Sequence, residues 1–274
     1  MAGWMSCVAR WLRCGYLVAA MVCGWQPGAA AQAVPVRYVE GTVHGFLCVR
    51  AQDGHVVAAG ELAQVAHGST VTAHVIIHFR DGSLDDETTV FSQRGSFRLI
   101  SDHHIQHGPS FPTPMDLSID VPNGRVTSRS KDKDGKDEVH TDQVRVPPDL
   151  ANGLVAFVVK NIKPNTPETK VSMLVMAPKP LVVKLDITPR GEDPFSLFGM
   201  PRKALHYNIQ IQLGGLTGVV ATLIGKHPHD IQMWILGGDA PTFLREDGQS
   251  FADGPIWITE FSSPDWPDTP HAAP

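Results

Sequence analysis

The chain has 274 residues, with 23 Lys and Arg against 28 Asp and Glu and a formal net charge of −5. That balance excludes a surface built to hold nucleic acid or anionic lipid, since both draw their affinity from Lys and Arg set against phosphates. The length suffices for one domain with a core of its own.

Residues 1–33 read as a signal peptide. Arg10 and Arg13 form a charged start, "GYLVAAMVCGW" (15–25) a short apolar stretch, and Ala31-Gln32-Ala33 a small-residue cleavage signal. The apolar stretch falls short of the ~20 residues that span a bilayer. The expectation is therefore an exported chain, periplasmic or extracellular, with no integral membrane span after cleavage. Lipid attachment at Cys23 is disfavoured because Val22 precedes it, where lipoproteins carry a small residue. Cleavage removes two arginines and no acid, which takes the charge from −5 to −7. It also leaves Cys48 as the one cysteine, so an internal disulfide is excluded and the core must hold the fold. Cys48 has no local base or positive setting and reads as a small buried hydrophobe.

Beyond the signal peptide, period-two alternation dominates. "VTAHVIIHF" (71–79), "MDLSIDV" (115–121), "LVVKLDIT" (181–188) and "LHYNIQIQL" (205–213) each place apolar residues on one face, as half-buried antiparallel strands do. Asp-Gly and Asn-Gly turn signals at 52–55, 80–83, 122–125, 131–138 and 245–250 separate such runs. Thirteen strands are expected, near 41–50, 55–62, 70–80, 86–93, 96–106, 115–121, 125–131, 138–146, 170–176, 181–188, 204–213, 231–237 and 255–261. Between the eighth and ninth, "PPDLANGLVAFVVKNIKP" (147–164) predicts one helix near 149–162, with Asp149 as N-cap. Its Gly153 costs about 1 kcal/mol there. "GEDPFSLFGMPRK" (191–203) reads as a long loop, and 269–274 as a loose tail. The fold class is mainly β: a curved antiparallel meander, half-barrel or barrel-like, in a single β-rich domain over 34–268.

The sharpest chemical cue is "FRLISDHHIQHGPSFP" (97–112). Read as a strand, it sets Phe97, Leu99, His103 and His107 on one face, and Asp102 and His104 on the other. His103 and His107 then stand about 13 Å apart along the strand, too far for one zinc ion with bonds of about 2 Å. A metal would need ligands from a neighbouring strand, with His74 and His78 the candidates. The acids of "DDETT" (85–89) read as a solvated face after a turn. "KDKDGKDE" (131–138) lacks the spacing of a calcium loop, and "GGLTGVVATLIGKHP" (214–228) that of a phosphate loop. Trp234, Trp257 and Trp266 are core or cavity-lining aromatics.

A signal peptide, a long meander, one interposed helix and the closing "GPIW" segment resemble the half-barrel proteins of the bacterial envelope, a superfamily that includes the periplasmic lipoprotein carriers. "FRLISDHHIQHGPSFP", "DLANG", "GEDPFS" and "GKHPHDIQMWIL" are also similar to a family of exported proteobacterial and acidobacterial proteins that brings no known activity. The half-barrel resemblance implies a concave apolar face holding a lipid-like ligand, plugged by a helix.

The functional expectation is a non-catalytic periplasmic β-protein, without cofactor, that binds a hydrophobic or lipid-like ligand or an envelope component. Candidate ligand-binding residues are Phe97, Leu99, His103, His107, Trp234 and Trp257. The alternatives are a metal-dependent hydrolase using His74, His78, His103 or His107 with Asp102, and a structural or assembly protein of the envelope.

Overall fold

A computed structural model describes residues 33–131, 135–177, 179–197, 200–212 and 228–262. The expected signal peptide up to residue 32, Trp266, the expected tail, most of the Gly-rich stretch and part of "KDKDGKDE" lie outside the described residues. Fourteen strands and one helix are described. They are β1 (Val43–Ala51), β2 (Val56–His67), β3 (Thr70–Phe79), β4 (Leu84–Ser92), β5 (Arg98–His107), β6 (Met115–Asp120), β7 (Arg125–Lys131) and β8 (Asp137–Gln143), then α1 (Val155–Asn161). There follow β9 (Thr169–Ala177), β10 (Lys179–Leu197), β11 (Met200–Gln212), β12 (Ile231–Leu236), β13 (Thr242–Gln249) and β14 (Ile256–Ser262).

All fourteen form one curved, unclosed antiparallel sheet in the order β8-β7-β6-β5-β4-β3-β2-β1-β14-β13-β12-β11-β10-β9. The expected mainly-β meander is thus present. Its first and last strands meet in the middle of the sheet, with Leu47 opposite Phe261 and Val49 opposite Thr259. The free edges are β8 and β9, and the chain linking them carries α1. One face buries the core. Val71, Phe91, Leu99, Ile119, Val126, Leu185, Ile187, Tyr207, Ile209, Met233 and Ile235 pack there with Leu154, Phe157, Val158 and Val159 of the α1 region. Phe157 meets Phe91 with ring centroids 4.8 Å apart. A second cluster on the same face gathers Phe79, Phe111, Trp257 and Phe251.

The helix is shorter than its pattern predicts. Gly153 adopts φ +62, a left-handed conformation that stops helical geometry from running back through it. Asp149 is not the N-cap: its carboxylate accepts from Ser172 Oγ at 2.7 Å and Lys184 Nζ at 3.0 Å. Leu154 stands at the N-cap without a side-chain bond. Residues 149–152 instead run along β9. Ala151 N donates to Ser172 O, and Asn152 both donates to Leu174 O and accepts from Leu174 N at 2.9 and 2.8 Å. A stretch of exposed edge is thereby satisfied, which protects it from pairing with another chain. At its other end α1 is fastened by Asn161, whose Oδ1 accepts from Arg37 N and Tyr38 N, and by Lys160, 2.7 Å from the buried Glu40.

Two expected non-strand segments are strands. The supposed loop 191–203 is mostly the far half of the β10–β11 hairpin. Its Pro189 and Pro194 lie beyond the β9 pairing, which ends at Ile187, so a missing N–H on that side breaks no ladder bond. "REDGQS" (245–250) is not a turn. Gly248 sits within β13 opposite Trp257, and a Cβ there would come within 3.3 Å of Ile231. This glycine serves close packing rather than a tight bend.

Candidate functional site

Strand β5 carries the histidines, and a bulge decides where they point. Val90 pairs with Ser101, but Phe91 pairs with Leu99, so Ile100 is an extra residue. An extra residue reverses the phase of every side chain beyond it. Phe97 and Leu99 lie in the core at 3% and 5% exposure. The residues that follow them onto the inner face are Asp102, His104 and Gln106. His103 and His107 stand on the outer face, and the expected grouping of these two with Phe97 and Leu99 is overturned.

On the outer face His103 Nε2 lies 3.0 Å from Asp116, and His74 Nε2 lies 2.9 Å from Asp86. Both histidines oppose Thr88, from either side, and His78 and His107 likewise flank Leu84. Each pair is therefore two strands apart, about 10 Å, and His74 and His103 each hold a carboxylate of their own. Among the described residues no group of three or more His, Cys, Asp or Glu is placed to hold a metal ion. The two tryptophans also part company. Trp257 lies in the inner aromatic cluster, 4.7 Å from Phe79 between centroids. Trp234 lies outside, stacked on His206 at 4.6 Å, with the Arg245 guanidinium 5.1 Å from its ring centre and its Nε1 donating to Asp193. Both ring faces are thus occupied.

A groove of about 770 Å³ opens on the outer face of the β4–β8 half. Thr88, Ser101, Ser118, Thr127 and Thr141 bring five hydroxyls to it, with His103, Asp120, Arg125 and Arg129. Its cations are balanced: Arg125 reaches Asp120 at 2.8 Å and Arg129 reaches Asp116 at 3.2 Å.

The inner face holds an arrangement the sequence reading missed. Alternation along β4 sends Asp86 outward but Asp85, Glu87 and Thr89 inward, so only part of "DDETT" is a solvated face. Their partners across the ladder are Gln106, His104 and Asp102. His104 Nε2 lies 2.7 Å from Asp85 and its Nδ1 3.7 Å from Glu87. Thr89 Oγ1 donates to Asp102 at 2.8 Å. Gln106 donates to Asp85 at 3.0 Å and, across the interior, to the Ser250 carbonyl at 3.2 Å. Glu246 enters from β13, between the inward Met233 and Thr259.

Four carboxylates thus share the interior with one imidazole. Burial, reinforced by the charge of Glu87, pushes the Asp102 carboxyl up to about 7. Burial does the same for Glu246, to about 7, with Asp247 and Asp85 adding repulsion. Glu87 is raised by burial, with Asp85 and Glu246 adding to it against the opposing pull of His104. For His104 burial works against the cation, but the Asp85 hydrogen bond and the charge of Glu87 prevail and raise it to about 9. Asp102 is 2% exposed, whereas the Glu87 side chain keeps 26% and His104 22%. Water therefore reaches the middle of the cluster and softens the shifts of those two. The arrangement takes up and releases protons near neutrality. A signal for it was present in the sequence, as inward acids at i and i+2 opposite "DHH", but it is legible only once the bulge is known.

No protein family, curated protein or solved structure matches the chain.

Proposed function

We propose that the protein is a non-catalytic binding protein of the bacterial envelope that holds a polar, hydroxyl-rich envelope component in the outer groove. The observation that carries this reading is the groove itself. Its volume of about 770 Å³ falls in the range of ligand sites, about 300–1,000 Å³. Its five hydroxyls each donate and accept, as a polyol or saccharide requires. Its guanidinium–carboxylate pairs leave little net charge, which favours a neutral ligand over a phosphorylated one. The signal-peptide pattern of residues 1–33 supports export. A lipid-like ligand on the inner face, as in a carrier-type half-barrel, is the less favoured reading because α1 and the core side chains occupy much of that face.

The test is calorimetric titration of the purified protein with neutral oligosaccharides and, in parallel, with acyl-chain probes. Saccharide binding that is lost in Ser118→Ala/Thr127→Val supports the reading. Acyl binding alone, or saccharide binding indifferent to that double variant, refutes it.

A further inference from the structure

We propose that the inner acidic cluster is a proton-operated clasp that joins the β4–β5 wall of the curved sheet to the β13 wall and loosens as pH rises.

Five pairings separate β4 from β13 in the sheet, through β3, β2, β1 and β14. Curvature nevertheless brings their inward side chains together. Gln106 of β5 donates to the Ser250 carbonyl just beyond β13, the charge of Asp85 acts on Glu246, and that of Glu246 acts on Glu87. Beside this seam Phe111 packs edge-on against Phe251 and Trp257, at 5.7 Å in each case. Beyond the shared core, the described contacts that join the walls at this seam are the Gln106 hydrogen bond, the two aromatic contacts of Phe111, and whatever the carboxylates do.

What the carboxylates do depends on protons. Asp85 and Glu87 come from β4, and Asp102 and His104 from β5, with His103 on the far side of that strand. Glu246 comes from β13, where Asp247 is engaged by Arg245. The inward partners on β3 are Val75 and Ile77, on β6 Leu117 and Ile119, on β12 Met233 and on β14 Thr259. None of these is charged. The segment leading into α1 also reaches this cluster, where Gly153 abuts Thr89 and Asp102, and the one cation of α1, Lys160, is paired with Glu40. Among the described residues His104 is the one cation with a close contact to these acids. With the acids partly protonated, carboxyl and carboxylate can share hydrogen atoms across the seam. With all four ionised, at least three negative charges stand uncompensated, and those on β4 repel the one on β13 across a partly hydrated interior. Loss of the His104 proton at still higher pH removes the last compensation.

Opening at this seam keeps the strand order and lets the β4, β5 and β13 ladders beside it open transiently more often. It uncovers the aromatic cluster and the inner face beside it, so access to the interior becomes pH-dependent. This inference is independent of the saccharide groove, which lies on the other face.

The experiment is amide hydrogen exchange on the full chain at pH 6, 7, 8 and 9, corrected for intrinsic exchange, with far-UV circular dichroism alongside. The expected result is protection at β4, β5 and β13 that falls about tenfold per pH unit for each proton released, with unchanged protection at β9–β11 and an unchanged dichroism spectrum. Glu87→Gln/Glu246→Gln fixes the neutral state and is expected to abolish the response. If that double variant does not fold, Glu246→Gln alone is expected to halve it. Protection independent of pH, a response retained in the variant, or loss of the β dichroism signal over the same range would each overturn the clasp.

Discussion

Raising the pH from 5 to 7 should destabilise this protein, and Asp102 supplies the clearest measure. Its carboxyl lies at about 7 in the folded chain against an ordinary value of 3.8. The folded state therefore binds the proton more tightly than the unfolded one. That contribution is fully present below about pH 4 and is lost as pH rises through about 7. At pH 7 that carboxyl is still half protonated, so between pH 5 and 7 the change is about 1.7 units, or about 2 kcal/mol at 1.36 kcal/mol per unit. For a domain of this size that corresponds to a fall in Tm of about 4–8 °C. Glu246 and His104, both raised, act in the same direction. Asp102→Asn keeps an oxygen to accept from Thr89 Oγ1 but cannot ionise. It is expected to raise Tm at pH 8 and to flatten the slope between pH 5 and 7. Scanning calorimetry at constant ionic strength reads both. A Tm that climbs from pH 5 to 7, or an unchanged slope in Asp102→Asn, refutes the reasoning.

Other outcomes follow from the packing. Gly153→Ala forces a side chain into a left-handed conformation against Thr89 and Asp102; a loss of at least 1–3 kcal/mol is expected by denaturant titration. Phe157→Ala removes the ring that joins α1 to Phe91, at about 3–5 kcal/mol. Asn152→Ala frees Leu174 N and O on β9, so it should cost about 1–2 kcal/mol and promote self-association, visible by sedimentation. Ser118→Ala/Thr127→Val should leave the unfolding free energy within about 1 kcal/mol of the parent while removing saccharide binding.

The architecture was legible because alternation survives wherever a strand faces core on one side and water on the other. "MDLSIDV" and "LHYNIQIQL" keep the expected faces. What escaped involved one-residue events or substitutions of role. Ile100 is an ordinary apolar residue, and nothing in its identity marks the bulge that exchanges the faces of His103 and His104. Asp149 has the residue type and position of an N-cap, yet a buried Ser172 and Lys184 claim it. Asp247-Gly248 has the letters of a hairpin turn, but the glycine answers to Ile231 across the interior. Pro189 and Pro194 suggest a loop and are tolerated in β10 because β9 stops short of them. In each case a tertiary partner outweighed the local preference. The site suffered most, because its polarity depends on the phase set by that single bulge.

The most direct measurement is therefore an NMR titration of the imidazole resonances. The bulge places His104 inside with Asp85 and Glu87, and one imidazole is expected to titrate near 9. That resonance should vanish in His104→Gln and persist in His103→Gln. Its loss in His103→Gln, or a His104 that titrates in the ordinary histidine range, would contradict the account.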